Sequence, residues 1–310
     1  MNRNRIVIGT RSSQLALWQA DYVAGEIQRK YPDTVVEKQL ITTKGDRIID
    51  APLARIGGKG LFTKELETAM LAGEIDIAVH SLKDMPVTLP EGLKITAVTR
   101  RTDPWDALVS PQYKHFDKLP PGARIGTSSL RRRAQLLSVR PDLDICNLRG
   151  NVNTRLRRLE EDHFDGIILA SVGLKRLGLG HLATDILGKD ICLPAVGQGA
   201  LAIESRADDT VINEMIAFLD DSDTSICTGA ERAFLGKVQG GCQVPVGVYA
   251  SIAEGSLHVE GVIASLDGAC VYRDEITGNP ADGVTLGCRL AEGLLAAGGQ
   301  GILQELGIEI

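Results

Sequence analysis

Apolar residues in the first two-thirds of the chain recur in two rhythms, one suited to buried strands and one to helices. Arg5 to Gly9 reads as a buried strand, closed by the polar turn Thr10, Arg11, Ser12 and Ser13. A helix is predicted from about Gln14 to Arg29, with Leu15, Trp18, Tyr22 and Val23 near one face and Pro32 ending it. Residues 34–41 form the next strand. Phe62, Leu66, Ala69 and Met70 make a helical stripe, and Ile75, Ile77 and Val79 alternate as a strand ending at His80. Between these lie residues 42–60, with glycines at 45, 57, 58 and 60 and charges at Lys44, Asp46, Arg47 and Lys59. That composition predicts a mobile loop, read as a lid.

The pattern restarts after Thr102, Asp103 and Pro104. Strand–helix units follow at 124–126 with 129–139, at 143–147 with 153–161 and at 166–170 with 171–177. Pro194, Gly197, Gln198 and Gly199 mark a second crossing. Two α/β lobes joined by two crossings imply a cleft between them, with functional residues at the carboxyl ends of the strands. From about Ser222 the character changes to a helix (224–236), strand-like runs at 244–252, 256–265 and 269–276, and a helix over 281–297. This last piece reads as a small α+β domain with a three-stranded antiparallel sheet. The expected domains are 1–99 with 200–220, then 104–194, then 222–310.

A hydrophobic content of 44% with 24% charged residues describes an ordinary soluble protein, and 310 residues suffice for two or three domains. Aromatics at 4% argue against a stacking surface for single-stranded nucleic acid. No apolar stretch approaches the roughly 20 residues that span a bilayer, and no signal-peptide core follows Met1 to Arg5. The expected location is the cytoplasm. Six cysteines (146, 192, 227, 242, 270, 288) form no C-x-x-C pair, and the five histidines are isolated, so no metal site is predicted.

Charge alters this plain picture at one place. Nine arginines and no lysine fall between Arg124 and Arg158, in a chain of net charge −6. Such a preference suits planar, bidentate recognition of carboxylates or phosphates. Thr127, Ser128 and Ser129 look like a helix N-cap cluster, and Arg131, Arg132 and Arg133 follow inside the first turn. A helix N-terminus already carries about half a positive charge, so cations there are unfavourable. Arg149 and Arg155 flank a second helix start near Asn151 and Asn153. A bound anion would reverse the penalty at both places, which predicts a site for a ligand with many negative groups.

Two short segments carry further candidate chemistry. In Ala78-Val79-His80-Ser81-Leu82-Lys83-Asp84-Met85-Pro86 a strand delivers a Lys–Asp pair into a turn. On spacing alone it reads as a surface turn, with His80 structural. In Gly240-Gly241-Cys242-Gln243-Val244-Pro245 two glycines open access to a sulfur, although a lone cysteine is more often core packing.

Taken with Gly57-Gly58-Lys59-Gly60-Leu61-Phe62, Thr127-Ser128-Ser129-Leu130-Arg131-Arg132, Leu148-Arg149-Gly150-Asn151, Gly173-Leu174-Lys175-Arg176-Leu177-Gly178 and Leu193-Pro194-Ala195-Val196-Gly197-Gln198-Gly199, these segments resemble the porphobilinogen deaminase family. The resemblance runs from Gly9-Thr10-Arg11 to the C-terminal helix. It implies two lobes like those of type II periplasmic binding proteins, and a third domain that presents a cofactor on a loop. It also implies a transferase of haem and porphyrin biosynthesis. Such an enzyme joins four porphobilinogen molecules head to tail, releases ammonia at each step, and hydrolyses off the linear tetrapyrrole hydroxymethylbilane.

By the same resemblance, a dipyrromethane cofactor is bound through a thioether to Cys242, with Lys83, Thr127, Ser129, Arg131 and Arg132 around it. Asp84 is the expected catalytic residue. Arg11, Ser13, Arg149, Arg155, Arg176, Gln198 and Lys59 are expected to bind substrate and the growing polypyrrole. Arg133, Arg140, Arg157 and Arg158 are assigned to the helix surface. The expected protein is a monomer without metal, nucleic acid or membrane partners. A two-lobed module that binds a polycarboxylate without catalysis would share the arginines but would not need Asp84 or Cys242. A nucleic-acid binder is disfavoured by the acidic net charge and by a 124–158 segment without aromatics.

Overall fold

The computed structural model describes residues 3–47, 60–239 and 244–308. In chain order its strands begin with β1 (Arg5–Thr10), β2 (Val35–Leu40), β3 (Ile77–Ser81), β4 (Leu93–Val98) and β5 (Asp106–Val109). They continue with β6 (Arg124–Gly126), β7 (Asp144–Cys146), β8 (Gly166–Ala170), β9 (Asp185–Leu187) and β10 (Leu201–Arg206). The last are β11 (Val246–Ala253), β12 (Ser256–Ala264) and β13 (Val271–Gly278). Contacts divide the chain into two compact units. The first holds the residues up to Thr102 together with Gly199–Ser225; the second holds Asp103–Gln198 together with Ile226 onward.

The first unit is built on a sheet of order β2-β1-β3-β10-β4. β1 runs parallel to β2 and β3, while β10 is antiparallel to both of its neighbours. β1 and β3 bury apolar side chains on both faces. Ile6, Ile8, Ile77 and Val79 pack with Ala20, Val23 and Ile27 of helix Gln14–Lys30, whereas Val7 and Ala78 pack with Leu66, Ala69 and Met70 of helix Lys64–Leu71. The alternation expected at Ile75–His80 is therefore a strand buried on both sides, with residues 77–80 all buried.

The face of helix Gln14–Lys30 differs from expectation. Its buried stripe is Ala16, Ala20, Val23 and Ile27, with Gln19, a regular helical spacing in which small residues meet the sheet. Trp18 and Tyr22 lie on the outer flank at 36% and 41% exposure, stacked with centroids 5.6 Å apart. In the expected loop at 42–60, Lys44–Arg47 form one helical turn, and residues 48–59 lie outside the described part.

In the second unit, the five-stranded sheet has order β7-β6-β8-β5-β9, with β6 parallel to β7 and β8, and β5 antiparallel to its neighbours. The two five-stranded sheets thus share one plan: three parallel strands and an antiparallel strand in fourth place. The three parallel strands β6, β7 and β8 lead into helices Leu130–Val139, Val152–Glu161 and Ser171–Arg176. The expected antiparallel sheet is present as β11-β12-β13, and its core packs Val248, Val259 and Ile263 with Phe234, Leu290 and Leu294. The helix predicted over 281–297 runs Gly283–Leu294. It is followed by a kink at Gly298 (φ 131°) and a further helix at Gln300–Glu305.

Candidate functional site

In the first unit, β1 and β3 deliver the sequence-predicted residues at their carboxyl ends. Ser13 caps helix Gln14–Lys30, its hydroxyl accepting from Ala16 N at 3.3 Å. After β3 the chain makes a single helical turn, Leu82–Asp84. Buried Leu82 pins that turn, its N–H donating to Ala200 O at 3.1 Å and its carbonyl accepting from Met85 N at 3.1 Å. Asp84 and Lys83 are half-buried. Asp84 lines a cavity with Arg11, Ser13, Gln19, Phe62, Thr63, His80 and Ser81. The Arg11 guanidinium sits 4.3 Å from the centroid of the Phe62 ring, a cation–π contact that steers it. Gln19 donates to Ser81 Oγ at 2.8 Å, and His80 Nε2 lies 3.0 Å from Glu204 Oε2.

In the second unit, Ser129 and Asn151 are N-caps, accepting from Arg132 N at 3.4 Å and Thr154 N at 2.9 Å. Thr127 Oγ1 accepts from Ser129 N at 3.2 Å, and Thr127 N donates to Cys146 O at 2.8 Å. The next strand end is joined to this one by Ser128, whose hydroxyl donates to Leu148 O at 2.9 Å. Gly150 has φ 115°, and a Cβ there would stand 2.8 Å from Thr154 Cβ; only glycine lets the chain turn from Arg149 into Asn151.

The cations of the first helical turn have an answer that sequence did not supply. Arg131 Nη1 donates to Asp106 Oδ2 at 2.8 Å and to Leu193 O at 2.7 Å. Arg132 donates to Asp106 Oδ1 at 2.7 Å and to Ile168 O at 2.8 Å. Gln198 Nε2 donates to Asp106 Oδ1 at 2.9 Å and to Pro104 O at 2.6 Å. Three expected ligand-binding residues therefore converge on one buried carboxylate. Burial pushes the Asp106 carboxyl up, and the charges of Arg131 and Arg132 more than reverse this, holding it well below the usual range. The anion that offsets the misplaced cations is thus one of the protein's own side chains. Two arginines and one aspartate still leave a single net positive charge. Beside them, burial pushes the Cys192 thiol up to about 12.

Other arginines are placed differently. Arg149 is half-buried, and its Nη1 is buried with no hydrogen-bond partner among the described residues. Arg155 Nε donates to Gly150 O at 2.7 Å, and Arg176 ends helix Ser171–Arg176 half-buried. Arg140 pairs with Asp142, Arg157 with Glu161 and Arg158 with Asp162, while Arg133 donates to Leu266 O. Lys59 and Cys242 lie outside the described residues. Among the described residues no cluster could hold a metal ion.

Residues 6–214 match the family described as porphobilinogen deaminase, dipyromethane cofactor binding domain, and residues 225–296 match porphobilinogen deaminase, C-terminal domain. The chain belongs to the porphobilinogen deaminase family. Porphobilinogen deaminase of Trichlorobacter lovleyi is 52% identical over 306 residues, 99% of this chain and 98% of that one. Porphobilinogen deaminase of Geobacter sulfurreducens is 53% identical over 99% of this chain and 96% of its own length. Among solved structures, the methionine binding protein MetQ aligns with 70% of this chain and 89% of that one, at 16% identity and a TM-score of 0.46. Asp84, Lys59, Gln198 and all the expected binding arginines fall in the first porphobilinogen deaminase match, and Cys242 falls in the second.

Proposed function

We propose that this chain condenses four porphobilinogen molecules head to tail, with loss of ammonia at each step, and releases hydroxymethylbilane by hydrolysis. The observation that carries this reading is the pairing of a carboxylate with an arginine, Asp84 and Arg11, in the wall of one cavity in a chain of this family.

The residues support a division of labour. The Asp84 carboxylate faces the cavity and stabilises the positive charge that develops at the aminomethyl carbon of porphobilinogen as ammonia leaves. It also accepts the pyrrole N–H and assists the proton transfers. Arg11 and Ser13 hold porphobilinogen carboxylates, with Lys83 beside Asp84 and Lys59 assisting. Arg149, Arg155 and Arg176 take acetates and propionates of the growing chain.

The donor set also fits a dipyrromethane anchored on Cys242. A buried, charged and unpartnered Arg149 Nη1 costs about 1–3 kcal/mol unless an acceptor meets it, and a pyrrole carboxylate is such an acceptor. When bound, dipyrromethane supplies the free pyrrole α-carbon from which the chain is extended. Arg131 and Arg132, held by Asp106 and carrying one net positive charge, would hold its carboxylates together with Thr127 and Ser129. Gln198 fixes the same aspartate. The enzyme acts on small molecules as a cytoplasmic monomer, a reading supported by its net charge of −6 and by five free cysteines among the described residues.

Intact mass of freshly purified protein, followed by mass mapping of the peptide containing Cys242, tests this. The expected result is an adduct of two linked pyrroles on that peptide, absent from Cys242→Ser, together with ammonia release from porphobilinogen. A bare thiol and no ammonia in protein made with ample porphobilinogen would overturn the proposal.

A further inference from the structure

At the wall of the first unit's cavity lies a group of ionisable side chains with no part in the roles above. His80 and Glu204 have side chains 5% and 0% exposed, with Nε2 and Oε2 3.0 Å apart. Glu67, on helix Lys64–Leu71, is buried nearby and senses the charges of both. Glu204 Oε1 and Glu67 Oε1 are buried with no hydrogen-bond partner among the described residues. His80 lines the cavity, and its other ring nitrogen, Nδ1, makes no hydrogen bond to any described residue.

Charge decides what Nδ1 presents. If the pair is imidazolium and carboxylate, both ring nitrogens carry hydrogen. If it is neutral, the Glu204 O–H donates to Nε2 and the ring hydrogen sits on Nδ1. A neutral imidazole donating Nε2–H to ionised Glu204 leaves Nδ1 bare, and that state buries a net negative charge. Moving the Glu204 proton to Oε1 also leaves Nδ1 bare, but buries an O–H with no acceptor among the described residues. The two remaining uncharged states place an N–H at Nδ1. Burial pushes the Glu67 carboxyl up. Lys64 on the same helix, and Arg11 and Asp84 at the cavity wall, complete the charged surroundings.

We propose that His80 is a substrate-binding residue whose Nδ1–H donates to a carboxylate of porphobilinogen in this cavity, with Glu204 holding the ring in place. The inference rests on the function proposed above and extends it. Arg11 supplies the charge that a carboxylate meets. A ring locked at Nε2 adds one donor in a fixed direction to the hold on that carboxylate.

Holoenzyme labelled with 15N in its histidines provides the test, with the His80 resonances assigned by their loss in His80→Gln. The probe is a porphobilinogen analogue in which the aminomethyl group is replaced by methyl; it keeps both carboxylates and has no ammonia to lose. At neutral pH Nδ1 should be protonated, and its N–H signal should shift at analogue concentrations that inhibit turnover. A bare Nδ1, or a signal unmoved by the analogue, would overturn the proposal. In kinetics, His80→Leu should raise KM for porphobilinogen about tenfold while changing kcat by less than about threefold. His80→Gln, which retains an N–H donor, should recover part of that loss. Equal losses in the two variants, or a lower kcat at unchanged KM, would leave His80 with a structural role only. If His80→Leu does not fold, the resonance experiment on the wild-type protein decides alone. A chain that releases no ammonia from porphobilinogen refutes the function; one that does so with Nδ1 unmoved refutes only this inference.

Discussion

Asp106 and Arg131 form a buried ion pair, with Nη1 2.8 Å from Oδ2 and side chains 0% and 6% exposed. Arg132 takes the other carboxylate oxygen at 2.7 Å. Helix Leu130–Val139 thus begins with cations that oppose its dipole, and a carboxylate from β5 offsets them. One anion cannot neutralise two cations, and the surplus charge is what a polycarboxylate would meet.

Asp106→Asn should therefore destabilise the fold by about 3–5 kcal/mol, because two guanidinium groups would remain buried without a counter-charge. Urea unfolding of the two proteins checks this, and a loss under about 1 kcal/mol would contradict it. The pH dependence follows from the depressed folded-state pKa of Asp106. Its contribution is complete above the unfolded value of about 3.9 and is lost progressively as pH falls below that value towards the folded one. The wild type should lose this increment in acid; the Asn variant has none to lose.

Much of this arrangement can be read from sequence, and the hidden part has a common cause. The caps Ser13, Ser129 and Asn151 stand out because a short polar side chain before a periodic run satisfies local N–H groups. The strands β1 and β8 stand out as apolar runs followed by helices. The two strands in fourth place, β5 and β10, escape notice because each carries a buried acid, Asp106 and Glu204. An acid in a short run reads as a solvent-facing position. Only a partner brought from elsewhere, Arg131 in one case and His80 in the other, makes it buriable. The misassigned face of helix Gln14–Lys30 has a different origin. The large aromatics Trp18 and Tyr22 draw attention, but Ala16 and Ala20 are what a close helix–sheet contact admits.

Asp84→Asn keeps the shape of the cavity wall and removes the carboxylate. Turnover of porphobilinogen should fall by about 10²–10⁴, with most of the binding of a non-reactive analogue retained. Steady-state kcat and an inhibition constant measured on the same preparation separate the two effects. Near-normal kcat would remove Asp84 from the catalytic role.

Cys192 should be inert in the folded protein. Burial pushes its thiol up to about 12, so at pH values near the free thiol's 8.5 it carries almost no thiolate. Exposed Cys270 should react first with an alkylating reagent, and Cys192 only after unfolding. The sign of the linkage is set by a folded pKa above the unfolded one: stability declines as pH rises past about 8.5, where the unfolded thiol ionises first. Peptide mapping after brief native alkylation checks the order, and early labelling of Cys192 would mean that this part of the second unit opens readily.

Arg149 separates binding from folding more sharply than any other arginine of the segment. Arg131 and Arg132 have internal acceptors, so removing either one injures the fold and confuses the result. Arg149 Nη1 is buried without an acceptor among the described residues, so the folded protein carries a cost there that a bound carboxylate would relieve. Arg149→Leu should leave thermal stability within about 1 kcal/mol of the wild type, since the penalty of the unmet donor disappears with the donor. The same change should weaken polypyrrole binding by about ten- to a hundredfold, the scale of one charge-assisted hydrogen bond. It should be visible as a higher KM and as a smaller cofactor-bearing fraction in intact mass spectra. Arg149→Lys restores the charge without the planar fork and should recover only part of the loss. A variant that is strongly destabilised but binds normally would mean that Arg149 serves the fold, and would leave the carboxylates to Arg155 and Arg176.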